Sequence, residues 1–422
     1  MSPIVGSNWD NSAICGSRSA NWNNRSLNLN ANNGARSTSD TWEKQIESLS
    51  LTPRLNIFAT VFYRNTRRES AVASTNMRKS RHELFDMKRL GNIYSKIISR
   101  ENLELAFDKA KKGKTWQDKV KYAEAHREEL LDKLEIVLRK REYKTSPYRT
   151  KTIYEPKKRI IYILTFYPDR IVQHAIMNVL EPYWDSIMHY HSYACRKGKG
   201  QHKGSSRCMK YIRQSPYCLK CDISKFYPSV NHEILYRILQ RKIKCKYTLE
   251  LLKEIIDSVP GETNVPIGNY LSQWLGNMYL NELDDYIKHT LHIKHYIRYC
   301  DDFVLFGQKQ QLADTILPIK AFIRDRLNMK MSKCDLFPVA RGIDFLGYRH
   351  FPDNYVLLRK STAKRVTKRI KGLVWQVKHG KKSKQSAIGS IDSTRGWIKW
   401  ANTHNLAMKL KLEEVKKTIE TL

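Results

Sequence analysis

Two adjacent carboxylates, Asp301 and Asp302, interrupt the apolar stretch Tyr299–Phe306, and no other feature constrains the fold as strongly. The flanking segments 295–299 and 303–306 are rich in β-branched and aromatic residues and predict two strands. Neighbouring charges between apolar strands belong in a tight hairpin turn, because unpaired carboxylates in a core repel each other and are costly to desolvate. A divalent cation would remove that conflict, and a solvated turn would avoid it. The dipeptide alone is compatible with both interpretations.

The charge of the chain indicates a polyanionic partner. The 422 residues carry a net charge of +35, and nucleic acid is the simplest polyanion that such an excess of Lys and Arg would bind. A membrane surface is the competing polyanion, but no apolar stretch approaches the roughly 18 to 20 residues of a spanning helix. The sequence does not open with a basic segment followed by an apolar core, so we expect neither a signal peptide nor a membrane partner.

Cysteine usage favours a reducing, cytoplasmic location. The eight Cys are scattered, and Cys218 and Cys221 lie in a segment that predicts a central strand. These two residues have the spacing of zinc ligands, but the sequence lacks an equivalent second pair, so a structural zinc is disfavoured.

Composition and periodicity divide the chain into parts. Residues 1–76 hold nine Asn in the first 40 positions and show neither helical nor strand periodicity, which predicts loop or disorder. Residues 77–216 predict amphipathic helices, among them one long helix over 118–141. The same part contains a predicted strand pair on either side of the basic turn 155–158.

The second half of the chain ends in a basic helical region. Residues 217–353 alternate predicted strands with helices, whereas residues 354–422 are mostly helical. The last region carries 17 Lys and Arg against 4 acids, with Trp375, Trp397 and Trp400 as expected core residues. A basic helical domain of this kind suits contact with the backbone of a nucleic-acid duplex.

A third carboxylate stands at the end of another predicted strand. Residues 217–223 alternate as a strand, with Asp222 near its end. If this strand pairs with the Asp301-Asp302 hairpin, the three acids converge on one side of a sheet. Polymer-forming nucleotidyl transfer requires such an arrangement, because two Mg²⁺ ions about 3.5 to 4 Å apart stabilise the attacking 3′-oxygen and the leaving pyrophosphate. Mg²⁺ takes oxygen ligands and keeps several waters, so a few carboxylates suffice.

Motifs in a fixed order along residues 78–422 resemble those of bacterial reverse transcriptases. The stretches that carry the resemblance are Asn102–Lys114, Asp169–His174, Leu180–Pro182, Ser192–His202, Asp222–Tyr227, Tyr299–Asp302, Leu327–Lys333 and Gly342–Gly347. The resemblance implies an α+β right-hand polymerase, with fingers over 77–216, a palm with an antiparallel sheet over 217–353 and a helical thumb over 354–422. It also implies Mg²⁺ as the cofactor, and an RNA template, a DNA primer and deoxynucleoside triphosphates as partners.

The same resemblance assigns catalytic and metal-binding roles. Asp222, Ile223, Asp301 and Asp302 would form the site of two Mg²⁺ ions, with Asp222 and Asp301 as the principal ligands and Asp302 in support. Lys333 stands where a lysine can protonate the leaving pyrophosphate, with an ordinary solvated lysine as the alternative.

Further residues match positions that contact nucleotide or primer in this family. Lys158 and Arg159 resemble the finger residues that clasp the triphosphate through charge-assisted contacts. Tyr227 falls where the family keeps a bulky side chain that excludes a 2′-hydroxyl, with core packing as the alternative. The expected primer grip is Phe345, Leu346 and Gly347.

One motif departs from the common pattern. In most reverse transcriptases this motif reads Gln-Gly, then any three residues, then Ser-Pro. This chain has Ile267-Gly268-Asn-Tyr-Leu-Ser272-Gln273 instead. That form resembles the reverse transcriptases of diversity-generating retroelements, which copy a template repeat and misincorporate at adenines. Ile267 cannot make the side-chain hydrogen bond that Gln could, so a contact that positions the nucleotide would be lost and discrimination would fall. Ile267, Gly268, Ser272 and Gln273 are therefore expected at the nucleotide site.

The Asn-rich N-terminus suggests a related hypothesis. The stretches Asn8–Ala13 and Asn21–Arg25 resemble the Asn-rich ends of the proteins that these retroelements diversify. Asn codons begin with two adenines, so an adenine-targeted repeat should translate as Asn-rich sequence. Residues 1–40 would then be a translated template repeat, with the true start nearer Met77 or Met87. A disordered, RNA-binding tail is the alternative.

Other classes compete with this interpretation. A group II intron reverse transcriptase and maturase usually carries more sequence after the thumb, often with a Cys/His nuclease domain, and a retron-type enzyme carries extra motifs that are not found here. A catalytically decayed RNA-binding, maturase-like protein would not need the intact Asp222, Asp301 and Asp302. The diversity-generating class implies a cytoplasmic protein encoded by a bacterium or phage, and usually a small basic accessory protein.

Overall fold

The computed structural model describes residues 89–154 and 158–422. Leu90–Leu422 belong to a single compact unit. The predictions for residues 1–76, including the translated-repeat hypothesis, lie outside the described residues, as do the alternative starts Met77 and Met87. Most of the basic turn 155–158 lies outside them as well.

The strands form three antiparallel sheets. A hairpin joins β1 Arg149–Ile153 to β2 Arg159–Ile163. The central sheet contains β3 Tyr217–Ile223, β4 His295–Tyr299, β5 Asp302–Gly307 and β6 Met331–Pro338 in the order β4–β5–β3–β6. The third sheet contains β7 Ile343–Phe345, β8 Tyr348–His350 and β9 Val356–Leu358. Strands β3 and β4 have the bounds that the sequence predicts.

Helices make up most of the remaining described chain. The N-terminal helices are α1 Tyr94–Ile97, α2 Arg100–Lys111, α3 Asp118–Ala125, α4 Arg127–Lys140 and α5 Ile171–Ile187. The helices interspersed with the central strands are α6 Gln201–Ile212, α7 Phe226–Ser229, α8 His232–Lys242, α9 Lys246–Ile256, α10 Tyr270–Asp285 and α11 Lys309–Asp325. The C-terminal helices are α12 Lys360–Lys378, α13 Lys384–Lys399, α14 His404–Leu410 and α15 Leu412–Thr421. This mixture of helices and antiparallel sheets confirms the α+β class.

No helix in the described part of the chain combines the length and the apolar character needed to cross a bilayer.

The central sheet lies between two apolar cores. Leu219 on β3 and Phe303 on β5 pack into one core, together with helices that include α5 and α10. Cys218 and Val304 pack into the other core, which the C-terminal helices complete. Because successive side chains of a strand alternate between its faces, the other even-numbered residues of β3 and β5 share the face of Cys218 and Val304.

The long helix predicted over 118–141 is wrong, because the structure divides it into α3 and α4. His126 lies between them with φ −110° and ψ 26°, outside the helical region. Its amide still donates to the Tyr122 carbonyl at 3.1 Å. The acids Glu128 and Glu129 occupy the first turn of α4, where the helix dipole favours negative charge. A one-residue break barely disturbs the apolar periodicity, so the pattern could not reveal it.

Two of the three tryptophans expected in the C-terminal core are exposed, which is a second correction. Trp375 is 50% and Trp400 is 40% exposed, whereas Trp397 is partly buried against the core. Trp375 stacks on His379, and Trp400 stacks on His202 with ring centroids 4.5 Å apart. The indole rings of Trp375 and Trp400 stack on histidine rings at the surface. Aliphatic side chains of the C-terminal helices fill the core instead.

A glycine turn fixes the start of α10 against strand β2. The Tyr162 amide donates to the Ile267 carbonyl at 2.7 Å. Gly268 has φ +124°, and a Cβ placed there would lie 2.2 Å from the Tyr162 carbonyl oxygen. Only glycine fits this close approach of two backbone segments.

Replacing Gly268 with Ala is therefore expected to lower the free energy of unfolding. Alanine at this φ costs about 1–3 kcal/mol, and the overlap of its Cβ with a backbone atom adds to that cost. Urea unfolding followed by circular dichroism measures the change. The control is Gly389→Ala in α13, where a Cβ meets nothing within 4 Å. That change should stabilise by about 0.5–1 kcal/mol. Equal stability of Gly268→Ala and wild type would contradict the packing described here.

Candidate active site

Strand register brings three acidic residues to one end of the central sheet. Asp222 on β3 is paired at Cα with Asp302 on β5 and with Lys333 on β6. Asp301 precedes Asp302 in the hairpin turn, and its carbonyl accepts a hydrogen bond from the Ile223 amide at 3.3 Å. Asp222, Asp301 and Asp302 are only 5%, 4% and 9% exposed. A solvated turn, the simpler interpretation of the sequence, does not describe acids that are buried to this extent.

The turn between β4 and β5 is tight and strained. Tyr299 pairs directly with Asp302, so only two residues connect the strands. Cys300 has φ +54°, a left-handed conformation that costs a non-glycine residue about 1–3 kcal/mol. Such strain persists only where the surroundings over-determine the backbone. The contacts of Arg298 supply that constraint.

A buried ion pair stabilises the turn between β4 and β5. Arg298 and Asp284 are fully buried, with Nε–Oδ1 and Nη2–Oδ2 distances of 2.7 and 2.5 Å. Arg298 also donates to the Cys300 carbonyl at 3.2 Å and to the Asn277 side chain at 3.1 Å. Burial opposes the charged guanidinium, but Asp284 outweighs it and raises the pKa of Arg298. Asn277 and Asp284 both belong to α10, so this helix and the acidic turn are held together.

A serine hydroxyl fixes the carboxylate of Asp222. Ser332 on β6 donates to Asp222 Oδ2 at 2.5 Å and lies 3.1 Å from the Asp222 carbonyl oxygen. A short hydrogen bond to an ionised carboxylate is a strong one. Ser332 therefore sets the direction in which Asp222 presents its carboxylate.

A lysine holds Asp302 from the same face of the sheet. Lys220 Nζ lies 3.3 Å from Asp302 Oδ2, and both side chains are largely buried. The other carboxylate oxygen, Asp302 Oδ1, is buried and has no hydrogen-bond partner within the described residues. Burial raises the pKa of the Asp302 carboxyl, Lys220 lowers it in part, and the nearby Asp222 raises it again. The effect of burial on this pKa thus outweighs the positive charges of Lys220 and Arg359.

The three acids lie in a part of the chain that matches a known protein family. Residues 143–350 match the family of reverse transcriptases (RNA-dependent DNA polymerases). The chain contains a reverse transcriptase domain. The matched range includes β1 to β8 and all three acids, and it implies a polymerase fold for this part of the chain.

Several curated proteins are distant relatives of the reverse transcriptase domain. Protein YkfC of Escherichia coli (strain K12) is 25% identical over 230 residues, which cover 43% of this chain and 60% of YkfC. The putative COX1/OXI3 intron 2 protein of Saccharomyces cerevisiae is 20% identical over 294 residues, 50% of this chain and 34% of that protein. An uncharacterized 91 kDa protein in cob intron of Schizosaccharomyces pombe is 24% identical over 128 residues, 28% of this chain and 16% of that protein. The matched part is thus less than two thirds of each relative.

Reverse transcriptases typically use divalent metal ions, so the acids can be tested for their fit to such ions. Within residues 89–154 and 158–422, no three carboxylate, imidazole or thiol side chains are grouped closely enough to hold a metal by themselves. Asp222 and Asp302 nevertheless face each other in register, and Asp302 Oδ1 is a buried oxygen without a partner in this part of the chain. Hard oxygen donors of this kind suit Mg²⁺, which also takes ligands from water and substrate phosphates. The residues fit a divalent ion bound together with a nucleotide.

Tyr227 and the segment 267–273 pack against other parts of the reverse transcriptase domain. Tyr227 is 8% exposed and lies 5.0 Å from the Phe226 ring, centroid to centroid. Ile267 is partly buried against the main core, and Ser272 donates to the Pro266 carbonyl at 2.7 Å. Gln273 follows in the first turn of α10 and is partly buried. Tyr227 thus has a role in core packing, which was the alternative interpretation of this residue.

A buried glutamine closes the N-terminus of α10. Gln173 on α5 accepts hydrogen bonds from the Tyr270 and Leu271 amides at 3.0 and 3.4 Å. These amides would otherwise be unpaired at the start of the helix. Gln173 therefore fixes the segment 267–273 against α5.

The remaining predicted residues lie around the domain in different settings. Lys158 is exposed, and Arg159 begins β2. Lys333 is partly exposed on β6 beside Asp222. The segment Phe345–Gly347 turns between β7 and β8, with Phe345 fully buried and the Leu346 carbonyl accepting a hydrogen bond from Gln201 at 2.8 Å.

Sequence reasoning missed the residues that hold the acids in place. Strand alternation was a usable signal for Lys220, because it lies two positions before Asp222 in a predicted strand. Ser332 adjoins Lys333 in a recognised motif, which was a weaker signal. The partnership of Arg298 with Asp284 depends on how α10 packs against β4, and the sequence carries no signal for that packing.

Proposed function

We propose that this chain is an RNA-directed DNA polymerase that extends a DNA primer on an RNA template. The observation that carries the proposal is the register of β3 and β5, which sets Asp222 opposite Asp302 beside the strained turn at Asp301, within a reverse transcriptase domain. Residues 77–216 would be the fingers, 217–353 the palm and 354–422 the thumb.

The acids and their supports define the chemistry. Asp222 and Asp301 would hold two Mg²⁺ ions, whose charge would stabilise the negative charge on the attacking 3′-oxygen and on the leaving pyrophosphate. Ser332 orients Asp222, and Arg298 holds the turn so that Asp301 keeps a fixed position. Lys333 is proposed to donate a proton to pyrophosphate.

Other residues would bind the substrates. Lys158 and Arg159 would contact the triphosphate, and the ring of Tyr227 would exclude a 2′-hydroxyl from the sugar site. The C-terminal helices carry 17 Lys and Arg against 4 acids over residues 354–422, which suits the phosphate backbone of a template–primer duplex. Affinity for that duplex should accordingly fall steeply as salt is raised.

The finer proposal is that the enzyme is of the diversity-generating kind, with errors concentrated opposite template adenines. Ile267 supports it, because an apolar side chain packed against the core replaces the expected Gln. An intron-associated reverse transcriptase is the second candidate, favoured by the two relatives whose names refer to introns.

Sequencing of the DNA made on an RNA template with equal numbers of the four bases tests both levels of the proposal. Complementary DNA supports the polymerase, and its absence counts against it. Errors concentrated at template adenines support the diversity-generating class, whereas evenly low errors favour the intron-associated class.

Replacing Ile267 with Gln is expected to reduce misincorporation opposite adenine about two- to tenfold. One net hydrogen bond is worth about 0.5–1.5 kcal/mol, which corresponds to this range. The error frequency in sequenced products measures the effect. Ile267→Leu, which keeps the side chain apolar and of equal volume, is the control and should leave the error spectrum unchanged. An unaltered error spectrum in Ile267→Gln would show that this residue does not set the fidelity of the enzyme.

A further inference from the structure

One lysine side chain bridges the acidic site and the neighbouring three-stranded sheet. Lys220 Nζ donates to Asp302 Oδ2 at 3.3 Å and also to the backbone carbonyl of Asp344. Asp344 lies in the middle of β7, beside Phe345. The ammonium is also 5.9 Å from the centroid of the Phe345 ring. Lys220 thus contacts two residues, Asp302 and Asp344, that lie 42 positions apart in the sequence.

The bridge is largely shielded from water. The side chains of Lys220 and Asp302 are 14% and 12% exposed, so their attraction is less screened than that of a surface pair. Lys220 stands two positions before Asp222 on β3 and therefore shares its face of the sheet. The ion pair is a part of the site itself.

The far end of the bridge leads to the C-terminal helices. The Gly347 carbonyl accepts a hydrogen bond from the Arg359 amide at 3.1 Å, immediately before α12. Arg359 Nε also lies 3.8 Å from Asp344 Oδ2. The segment from Asp344 to Gly347 is therefore held by Lys220 on one side and by the start of α12 on the other.

We propose that Lys220 is a positioning residue for DNA synthesis, which sets the location of the segment Phe345–Gly347, and of the primer end bound there, relative to the acids. The inference rests on the proposed polymerase function and deepens it. An ammonium has three donors and can serve two acceptors at once, which a neutral apolar side chain cannot. Loss of the bridge would let the hairpin of β7 and β8 shift relative to Asp302, and displacement by about 1 Å is costly for a reaction that depends on alignment.

Lys220→Met is the variant that removes the ammonium and keeps the stem. We expect the rate constant for adding one nucleotide to fall about 10- to 100-fold, the usual cost of losing a group that orients a catalytic carboxylate. The affinity for the template–primer should stay within about twofold of wild type, since the largely buried Lys220 is not expected to contact the duplex. The fraction of active enzyme should stay within the same range. Lys220→Arg offers several donors and should recover most of the rate.

The experiment is rapid-quench incorporation of a single nucleotide on a DNA primer annealed to RNA, with Mg²⁺. The burst amplitude reports the active fraction, the exponential phase reports the rate constant, and fluorescence anisotropy with the same duplex reports affinity. Lys309→Met, at the exposed first position of α11, is the matched control for exchanging Lys for Met. It should match wild type in all three quantities.

The outcomes separate positioning from a merely structural role. A lower rate constant at unchanged amplitude and affinity, with recovery in Lys220→Arg, supports the proposal. A rate constant within twofold of wild type overturns it, as does a reduced amplitude with an unchanged rate constant, which would show only partial unfolding. A folded wild-type protein that adds no nucleotide overturns the polymerase proposal and this inference with it, so the two failures are distinguishable.

Discussion

Replacing Asp301 with Asn is expected to reduce nucleotide incorporation by about a thousandfold or more. A carboxylate that binds Mg²⁺ contributes several kcal/mol to the stability of the transition state, and Asn cannot supply the charge. Single-turnover incorporation on an RNA template measures the loss. The affinity for the template–primer should change little, because the basic surface that would bind the duplex is untouched.

The control for this change is Asp314→Asn on α11. Asp314 is exposed and accepts a hydrogen bond from Gln310 on the same helix. Its variant should retain wild-type incorporation. An Asp301→Asn protein that keeps more than a tenth of the wild-type rate would show that the turn does not carry the chemistry.

Replacing Asp284 with Asn is expected to lower the free energy of unfolding by about 3–5 kcal/mol. The change leaves the guanidinium of Arg298 buried without its countercharge, and uncompensated buried charges are costly. Urea unfolding monitored by circular dichroism measures the loss. We also expect reduced incorporation in the fraction that remains folded, because Arg298 holds the Cys300 carbonyl in the strained turn.

A second ion pair on the same helix provides the control. Glu282 on α10 pairs with Arg241 at 2.7 Å, but their side chains are 23% and 49% exposed. Glu282→Gln should therefore cost less than about 1 kcal/mol. If Asp284→Asn were no more destabilising than Glu282→Gln, the buried pair would not be the anchor proposed for the turn.

The sequence was sufficient for the strands that carry the acids. Segment 217–223 alternates apolar residues with Lys220 and Asp222, so β3 could be predicted with both of its ends. The Asp301-Asp302 turn interrupts two apolar runs, which predicted β5 over 303–306, one residue short at each end of the observed Asp302–Gly307. The three acids then meet because a hairpin and a neighbouring strand share one register. Here local pattern and tertiary structure agree.

Residues whose role depends on packing between distant elements could not be predicted in the same way. Arg298 and Asp284 lie fourteen positions apart on a strand and a helix, and only the docking of α10 makes them partners. Trp375 and Trp400 have large apolar side chains, yet they stack on histidines at the surface and do not enter the core. The Ile267 motif was recognisable, but its attachment to β2 through Tyr162 was not.

The most direct test of the central claim is primer extension by the purified protein on an RNA template, with Mg²⁺ and four deoxynucleoside triphosphates, beside its Asp222→Asn variant. We expect DNA complementary to the template from the wild-type protein and none from Asp222→Asn, with both proteins folded and both bound to the duplex. Failure of the folded wild-type protein to extend the primer, or extension that Asp222→Asn retains, would contradict it.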